Sequence, residues 1–237
     1  MDAAAVVDRR ELDEHDAGRE GDQYRVRCGE GERGLARSTG PHDRHEPMLG
    51  DRVADSFEVD VASEFRYREP PIPARTTALF VSQSGETADT LAALRYCTGK
   101  ASTVLSVVNV PESSIARESD LALPIYAGVE IGVASTKAFT CQLVVLLLLA
   151  LKAAADRGEM DADTLADHIS ALRGMPNIIS TALGANAQMH QAALKLAQAR
   201  DVLFLGRGLM YPLALEGALN LKEISYIHAE AYAAGEL

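Results

Sequence analysis

The sequence is poor in cysteine and lacks the spacings that most cofactor and metal sites need. Its three cysteines, Cys28, Cys97 and Cys141, are odd in number and widely separated. They form neither a disulfide framework nor a zinc-ligand pattern, so a reducing cytoplasm is the expected compartment. The glycine-rich signatures of dinucleotide and nucleotide sites are also missing, as is any metal-ligand spacing. We therefore expect no metal site.

Positive charge is also scarce. The chain has 23 basic and 34 acidic residues, a net charge of −11. A nucleic-acid backbone would be repelled, so we expect no nucleic-acid partner. A small anionic ligand remains compatible with this charge, because helix N-termini and hydroxyl groups hold phosphate locally.

The sequence contains one long hydrophobic run. The longest uncharged apolar stretch, 138–151, has 14 residues, fewer than the roughly 20 that cross a bilayer. It predicts a helix buried on most sides rather than a membrane span. The N-terminal residues are acidic and polar, unlike a secretory signal. These observations predict a cytoplasmic protein without a membrane partner.

Residues 1–47 differ in composition from the rest of the chain. From Asp8 to Pro47 the sequence is crowded with Arg, Gly, Asp, Glu and His and contains few apolar side chains. Such a segment buries too little surface to offset its ordering entropy, so we expect it to be disordered. A second interpretation is an aberrant segment, read out of frame or replaced.

From Phe57 onward, short β-rich runs alternate with helical segments. This alternation predicts an α/β fold with a parallel sheet flanked by helices. The alternation breaks between about residues 154 and 176 and resumes at Asp201, which indicates a second copy of the same architecture. We predict a first domain over 48–174 and a truncated second domain over 175–237. The predicted elements are strands at 57–61, 76–81, 103–110, 121–126 and 201–205, and helices at 88–96, 135–155, 165–172, 177–199 and 211–227.

A loop of hydroxyl groups follows the predicted strand that ends at Val81. Its sequence is Ser82-Gln83-Ser84-Gly85-Glu86-Thr87, and a helix begins directly behind it. Backbone N–H donors and the positive end of the helix dipole meet there, which suits a phosphate group. The alternative is an ordinary helix cap, since Ser and Thr are common at helix starts.

A second hydroxyl-rich loop, Val133 to Lys137, opens the long apolar helix. Ser135 or Thr136 serves either as a helix cap or as part of a ligand site. In a parallel sheet the loops after neighbouring strands meet at one edge, so we expect the two loops to converge on one crevice.

The last predicted helix carries a polar stripe of Glu216, Asn220 and Glu223. Their spacing of four and three residues puts them on one face. A solvated face explains such a stripe. The alternative is a carboxylate facing a pocket, where it would move a proton between adjacent carbons, as in aldose–ketose isomerisation.

Four segments together resemble the isomerase part of the glutamine–fructose-6-phosphate aminotransferases. They are residues 62–68, 82–90, 130–140 and 215–237. The resemblance runs from about Met48 to the last residue. It implies two sugar-isomerase (SIS) domains of flavodoxin-like or Rossmann-like architecture, each with a five-stranded parallel sheet between helices.

The resemblance also implies an activity. Members of this family make glucosamine 6-phosphate from fructose 6-phosphate and glutamine-derived ammonia, and they need no metal or organic cofactor. They form homodimers through these domains. The implied roles are phosphate binding by Ser82, Gln83, Ser84 and Thr87, lining of the sugar by Val133 and Ser135, and proton transfer between C1 and C2 by Glu223.

Three departures from the family pattern accompany the resemblance. Asn220 stands where the family has a lysine, and we expect the family's first strand upstream of Met48 and its glutaminase domain to be missing from this sequence. A separate glutaminase domain or chain is therefore an expected partner. Two alternatives stay open: a non-catalytic fragment that only binds a phosphorylated sugar, and a stand-alone SIS phosphosugar isomerase.

Overall fold

The computed structural model of the chain describes residues 3–9 and 55–236. For residues 3–9, 55 and 56 it describes the backbone alone. The chain divides into two compact units, Met1–Pro124 and Ile125–Leu237.

The first unit is an α/β layer structure. Its described elements are β1 (Ala3–Arg9), β2 (Asp55–Val61), α1 (Ala62–Arg68), β3 (Thr77–Ser82), α2 (Ala88–Cys97), β4 (Thr103–Val108), α3 (Ser114–Glu118) and β5 (Leu121–Pro124). The sheet order is β2-β1-β3-β4-β5, with β3, β4 and β5 mutually parallel. Parallel strands flanked by helices confirm the predicted fold class.

The core of this unit lies between the sheet and its helices. Phe80 of β3, Val108 of β4, Leu94 of α2 and Ile115 of α3 are all fully buried. Each such side chain contributes about 1.5–3 kcal/mol by leaving water. This packing fixes α2 directly behind the carboxyl end of β3, where the first hydroxyl loop lies.

The N-terminal strand differs from the expectation for residues 1–47. Ala3–Arg9 form β1, which runs antiparallel between β2 and β3 and pairs Ala3 with both Val61 and Val81. A strand in this position satisfies backbone N–H and C=O groups of both neighbours that would otherwise lack partners. The sheet expected to lack its first strand therefore has a strand in that place. Residues 10–54, with Cys28, lie outside the described residues, and the prediction for residues 10–47 stays untested.

The second unit combines helices with a small parallel sheet. Its described elements are α4 (Lys137–Asp156), α5 (Ala162–Leu183), α6 (Asn186–Leu196), β6 (Asp201–Gly206), α7 (Met210–Ser225) and β7 (His228–Ala233). α7 packs against both strands of the β6–β7 pair. Strand β7 was not predicted, because its sequence has no β-branched residue; its pairing with β6 determines the strand.

The domain boundary predicted at residues 174 and 175 falls inside α5. The breaker Pro176 lies within this helix and does not end it. A proline removes one backbone hydrogen-bond donor and bends a helix. The helix continues past it when the turns on either side keep their own hydrogen bonds. At its start α5 is capped by Asp161, whose side chain accepts a hydrogen bond from the Thr164 N–H at 2.8 Å.

Helix α4 is less buried than its apolar sequence predicted. Only Ala138 and Leu151 are buried, whereas Leu143, Leu147 and Leu148 are exposed. Within its unit α4 packs mainly against α5. Because a single neighbouring helix covers only one side of α4, other apolar side chains of α4 stay exposed. The helix runs for 20 residues, and in the described part of the chain it alone is long and apolar enough to cross a membrane. Length and composition do not separate such a helix from the core helix of a soluble protein.

Candidate functional site

The first hydroxyl loop is a tight turn held by its own side chains. The buried Ser82 Oγ accepts a hydrogen bond from the Gly85 N–H at 3.1 Å and lies 3.3 Å from Thr87 Oγ1. Ser84 Oγ accepts one from the Glu86 N–H at 3.2 Å. The hydroxyl oxygens of Ser82 and Ser84 thus orient the backbone of the loop.

Gly85 is the one position of this loop where a side chain does not fit. Its φ of +68° lies in the left-handed region, and a Cβ built on it would lie 2.0 Å from Ser113 Oγ. Both the backbone conformation and the close approach to the segment after β4 require glycine.

The segment after β4 braces the loop through three further hydrogen bonds. The Glu86 carboxylate accepts one from the Ser114 N–H at 2.7 Å. The Ile115 N–H donates to the Gly85 carbonyl at 3.0 Å, and the Asn109 N–H donates to the Gln83 carbonyl at 3.1 Å. The hydrogen bond from Ser114 is the main cause that lowers the pKa of Glu86 below its usual value.

Thr87 does not behave as the helix-cap interpretation predicts. It occupies the N-cap position of α2, yet its side chain makes no capping hydrogen bond. The first-turn N–H groups of Ala88 and Asp89 have no acceptor within the helix, as at every helix start. Helix dipole, backbone donors and the half-buried hydroxyls of Ser84 and Thr87 therefore lie together at the end of β3. Such a cradle is suited to an oxyanion.

The two carboxylates near this cradle, Asp89 and Glu86, each interact with a neighbouring group. Asp89, in the first turn of α2, pairs with Arg66 at 2.7 Å. Glu86 is bonded to the start of α3, where Arg117 further lowers its pKa. The charges that would repel an anion at this helix start are thus partly offset by neighbouring groups.

The second hydroxyl loop is organised around Glu130. Its carboxylate accepts hydrogen bonds from Ser135 Oγ at 3.3 Å, from the Thr136 N–H at 2.9 Å and from Thr136 Oγ1 at 3.4 Å. Ser135, one residue before the N-cap residue Thr136, also accepts a hydrogen bond at its Oγ from the Phe139 N–H in the first turn of α4, at 3.2 Å. Val133 is exposed in the same loop.

The polar stripe on α7 has one internal contact. Asn220 Nδ2 donates to Glu216 Oε1 at 3.2 Å, and both residues are half-buried. Glu223 is exposed, and its carboxylate makes no hydrogen bond or ion pair with the rest of the described chain. A free carboxylate is able to accept a proton from a ligand.

The predicted site residues fall into three groups. The first unit holds the loop of Ser82, Gln83, Ser84 and Thr87, while the second holds Val133 with Ser135 and, on α7, Asn220 with Glu223. Convergence of the two hydroxyl loops on one crevice stays a prediction. The sequence reasoning missed the supporting role of the carboxylates Glu86 and Glu130, although Glu86 lies within the first hydroxyl-rich loop and Glu130 three residues before the second.

Metal binding finds no support in the part of the chain that the structure describes. Residues 3–9 and 55–236 contain no group of three or more His, Cys, Asp or Glu side chains that could hold an ion.

Comparison with known proteins identifies the family. A model of the SIS domain family matches residues 55–152 and 195–237, more than half of the chain. The glutamine–fructose-6-phosphate aminotransferase (isomerizing) of Bradyrhizobium diazoefficiens is 59% identical over 180 residues, which are 76% of this chain and 30% of that protein. The Bartonella quintana protein of the same name is 54% identical over 185 residues, 78% of this chain and 30% of that protein.

A solved structure agrees with these relatives. The C-terminal domain of glucosamine-fructose-6-phosphate aminotransferase from Francisella tularensis superimposes with a TM-score of 0.73 at 45% identity, covering 75% of this chain and 51% of that chain. The chain spans 30% of the length of the curated relatives it matches. Both matched segments of the family model include site residues, the first the two hydroxyl loops and the second α7. The chain belongs to the SIS domain family.

Proposed function

We propose that this chain is the sugar-phosphate isomerase part of a glutamine–fructose-6-phosphate aminotransferase. It binds fructose 6-phosphate and delivers glucosamine 6-phosphate, using ammonia from glutamine. The observation that carries the proposal is the braced hydroxyl loop at the end of β3, a preformed anion cradle. The names of the relatives, at 54% to 59% identity, support the choice of substrate.

In this proposal the phosphate of the sugar lies on the first loop. Ser82 and Gln83 shape and flank the cradle, while Ser84 and Thr87 donate hydroxyl hydrogen bonds to the phosphate oxygens. The start of α2 adds its dipole. Val133 and Ser135 line the sugar carbons.

Glu223 is the proposed proton carrier. Its carboxylate removes a proton from C1 of the protonated fructosimine, the C1–H electron pair forms the C1–C2 double bond, and the C2–N π pair moves onto nitrogen to give the neutral enolamine. The carboxyl group then returns the proton to C2, while the O1 proton leaves to water and C1–O becomes the carbonyl of the aldose. The absence of a competing hydrogen bond to Glu223 within the described chain supports this role.

A second candidate is sugar-phosphate binding without turnover. Asn220 favours it, because its amide is hydrogen-bonded to Glu216 and supplies no positive charge where the family has a lysine. An amide neither titrates nor donates a proton to a developing oxyanion as an ammonium does. Binding with no proton exchange would distinguish this candidate from the isomerase.

We also propose the architecture and partners that go with this function. Two SIS segments, separated near α5 and α6, are supported by the two stretches of the family match. Exposed apolar side chains such as Leu147 and Leu203 support association with a second copy as a homodimer. A glutaminase domain or chain would supply ammonia. The location of α4 inside the matched SIS segment supports a cytoplasmic protein in which α4 is a domain helix.

The binding experiment is a calorimetric titration with fructose 6-phosphate. Ser84→Ala and Thr87→Ala each remove one donor, and loss of a hydrogen bond to a charged group costs about 1.5–3 kcal/mol, roughly 10- to 150-fold in Kd. Ser63→Ala is the matched control, because it makes the same change outside the loop. Equal affinity of all four proteins would refute phosphate binding at this loop.

The catalytic experiment follows solvent deuterium by NMR. Incubation with glucosamine 6-phosphate in D2O places deuterium at C2 if a carboxylate exchanges that proton. Glu223→Gln should abolish the exchange and leave binding intact. Exchange that continues in this variant would exclude Glu223, and binding without exchange by the unmodified chain would support the second candidate.

A further inference from the structure

Glu130 accepts the hydroxyl proton of Ser135 in a hydrogen bond, and this determines which hydrogen bonds Ser135 can still make. A serine hydroxyl has one proton and two acceptor lone pairs. The proton goes to Glu130 Oε2 at 3.3 Å, and one lone pair takes the Phe139 N–H at 3.2 Å. One lone pair remains, so Ser135 is left with the capacity to accept and none to donate.

The polarity of this arrangement is fixed by the charge of Glu130. A carboxylate only accepts hydrogen bonds, so Ser135 must be the donor of that pair. The other carboxylate oxygen, Oε1, takes both the Thr136 N–H and Thr136 Oγ1, which locks the side chain in the orientation that faces Ser135.

We propose that Glu130 is a positioning residue that makes Ser135 an obligate hydrogen-bond acceptor for the bound sugar. Ser135 then selects ligands that present a hydroxyl or amine donor at the facing carbon and discriminates against ligands with an acceptor there. This inference rests on the proposed function, in which Ser135 lines the sugar.

Glu130→Gln separates this role from simple support of the loop. The amide oxygen, in the place of Oε1, still accepts from Thr136, while the amide nitrogen, in the place of Oε2, donates to Ser135. The Ser135 proton is thereby released toward the ligand, and the polarity of the hydroxyl reverses without loss of either contact.

The test measures the affinity of fructose 6-phosphate and of its monodeoxyfluoro analogues by calorimetry. Fluorine accepts weakly and cannot donate. In the unmodified chain one analogue should lose roughly 3- to 10-fold in affinity, the value of one neutral hydrogen bond. Ser135→Ala should remove that loss at the same carbon. Glu130→Gln should reduce it, because fluorine, a weak acceptor, then faces the released Ser135 proton instead of another acceptor.

The outcomes are distinguishable. If the unmodified chain binds no hexose phosphate, the proposed function fails and this inference fails with it. If it binds but Glu130→Gln shifts every analogue equally, Glu130 is a loop support and the inference alone is overturned. Discrimination that survives in Ser135→Ala would also overturn it, and this variant retains Glu130 and its contacts with Thr136.

Discussion

Gly85→Ala is the substitution whose effect the structure predicts most directly. The left-handed φ of +68° costs a residue with a side chain about 1–2 kcal/mol. The new Cβ would also lie 2.0 Å from Ser113 Oγ and 2.5 Å from Ser113 Cβ. Relief of such overpacking costs about 1–3 kcal/mol more. We expect a total loss of about 2–5 kcal/mol in the free energy of unfolding, with loss of fructose 6-phosphate binding as the loop shifts.

Gly99→Ala is the matched control for this prediction. Gly99 has a φ of +76°, but apart from its chain neighbours no atom of the described residues lies within 4 Å of the position of a Cβ there. Only the backbone term of about 1–2 kcal/mol applies there. The difference between the two variants therefore isolates the contact with Ser113.

Urea unfolding followed by circular dichroism measures both variants. A double variant, Gly85→Ala with Ser113→Gly, removes both Ser113 atoms that the new Cβ would meet. It should recover part of the lost free energy of unfolding. The recovery is partial because Ser113 also caps α3. Equal destabilisation by Gly85→Ala and Gly99→Ala, with no recovery in the double variant, would refute the close packing of the loop on the segment after β4.

Three further predictions follow from single side chains. Ser106 is fully buried and its hydroxyl has no partner among the described residues, so Ser106→Ala should leave stability unchanged or raise it by about 1–3 kcal/mol in urea unfolding. Burial raises the pKa of the Cys97 thiol to about 11, so Cys141 should react with a thiol reagent at pH 8 well before Cys97, as mass spectrometry of the labelled peptides would show. The Ser114 N–H lowers the pKa of Glu86 from the usual 4.5, so the stability that this bond contributes is full above pH 4.5 and is lost as pH falls through the lower folded-state pKa. In Glu86→Gln the free energy of unfolding should depend less on pH below 4.5 than it does in the unmodified chain. An equal pH dependence of the two proteins would show that this hydrogen bond does not contribute to stability.

Much of the fold could be predicted from local sequence. β3, β4 and β6 are β-branched or apolar runs bounded by breakers, and the structure places them within two residues of the predicted bounds at most ends. β7 could not be predicted in this way, because its strand depends on pairing with β6. The continuation of α5 through Pro176 likewise depends on the flanking turns rather than on the proline.

The residues of the first loop could be predicted from the sequence, but the residues that hold the loop in place could not. Ser82, Ser84 and Thr87 were found because hydroxyls cluster at one strand-to-helix junction. The segment that supports the loop lies later in the chain: Ser113 packs close to Gly85 and the Ser114 N–H donates to Glu86, a separation of 28 residues. Local sequence patterns carry no information about such contacts. The helix-cap alternative for Thr87 could be judged only from the geometry of its side chain.

A net charge of −11 is a poor guide to whether this chain binds an anion. At physiological ionic strength, exposed charges more than about 8 Å apart are largely screened from each other. What a phosphate meets at the end of β3 is therefore decided by its immediate neighbours. There, Asp89 is paired with Arg66, and Glu86 is hydrogen-bonded to Ser114. The other groups there include the hydroxyls of Ser84 and Thr87 and the first-turn amides of α2, so oriented dipoles contribute to the attraction of an anion at this point.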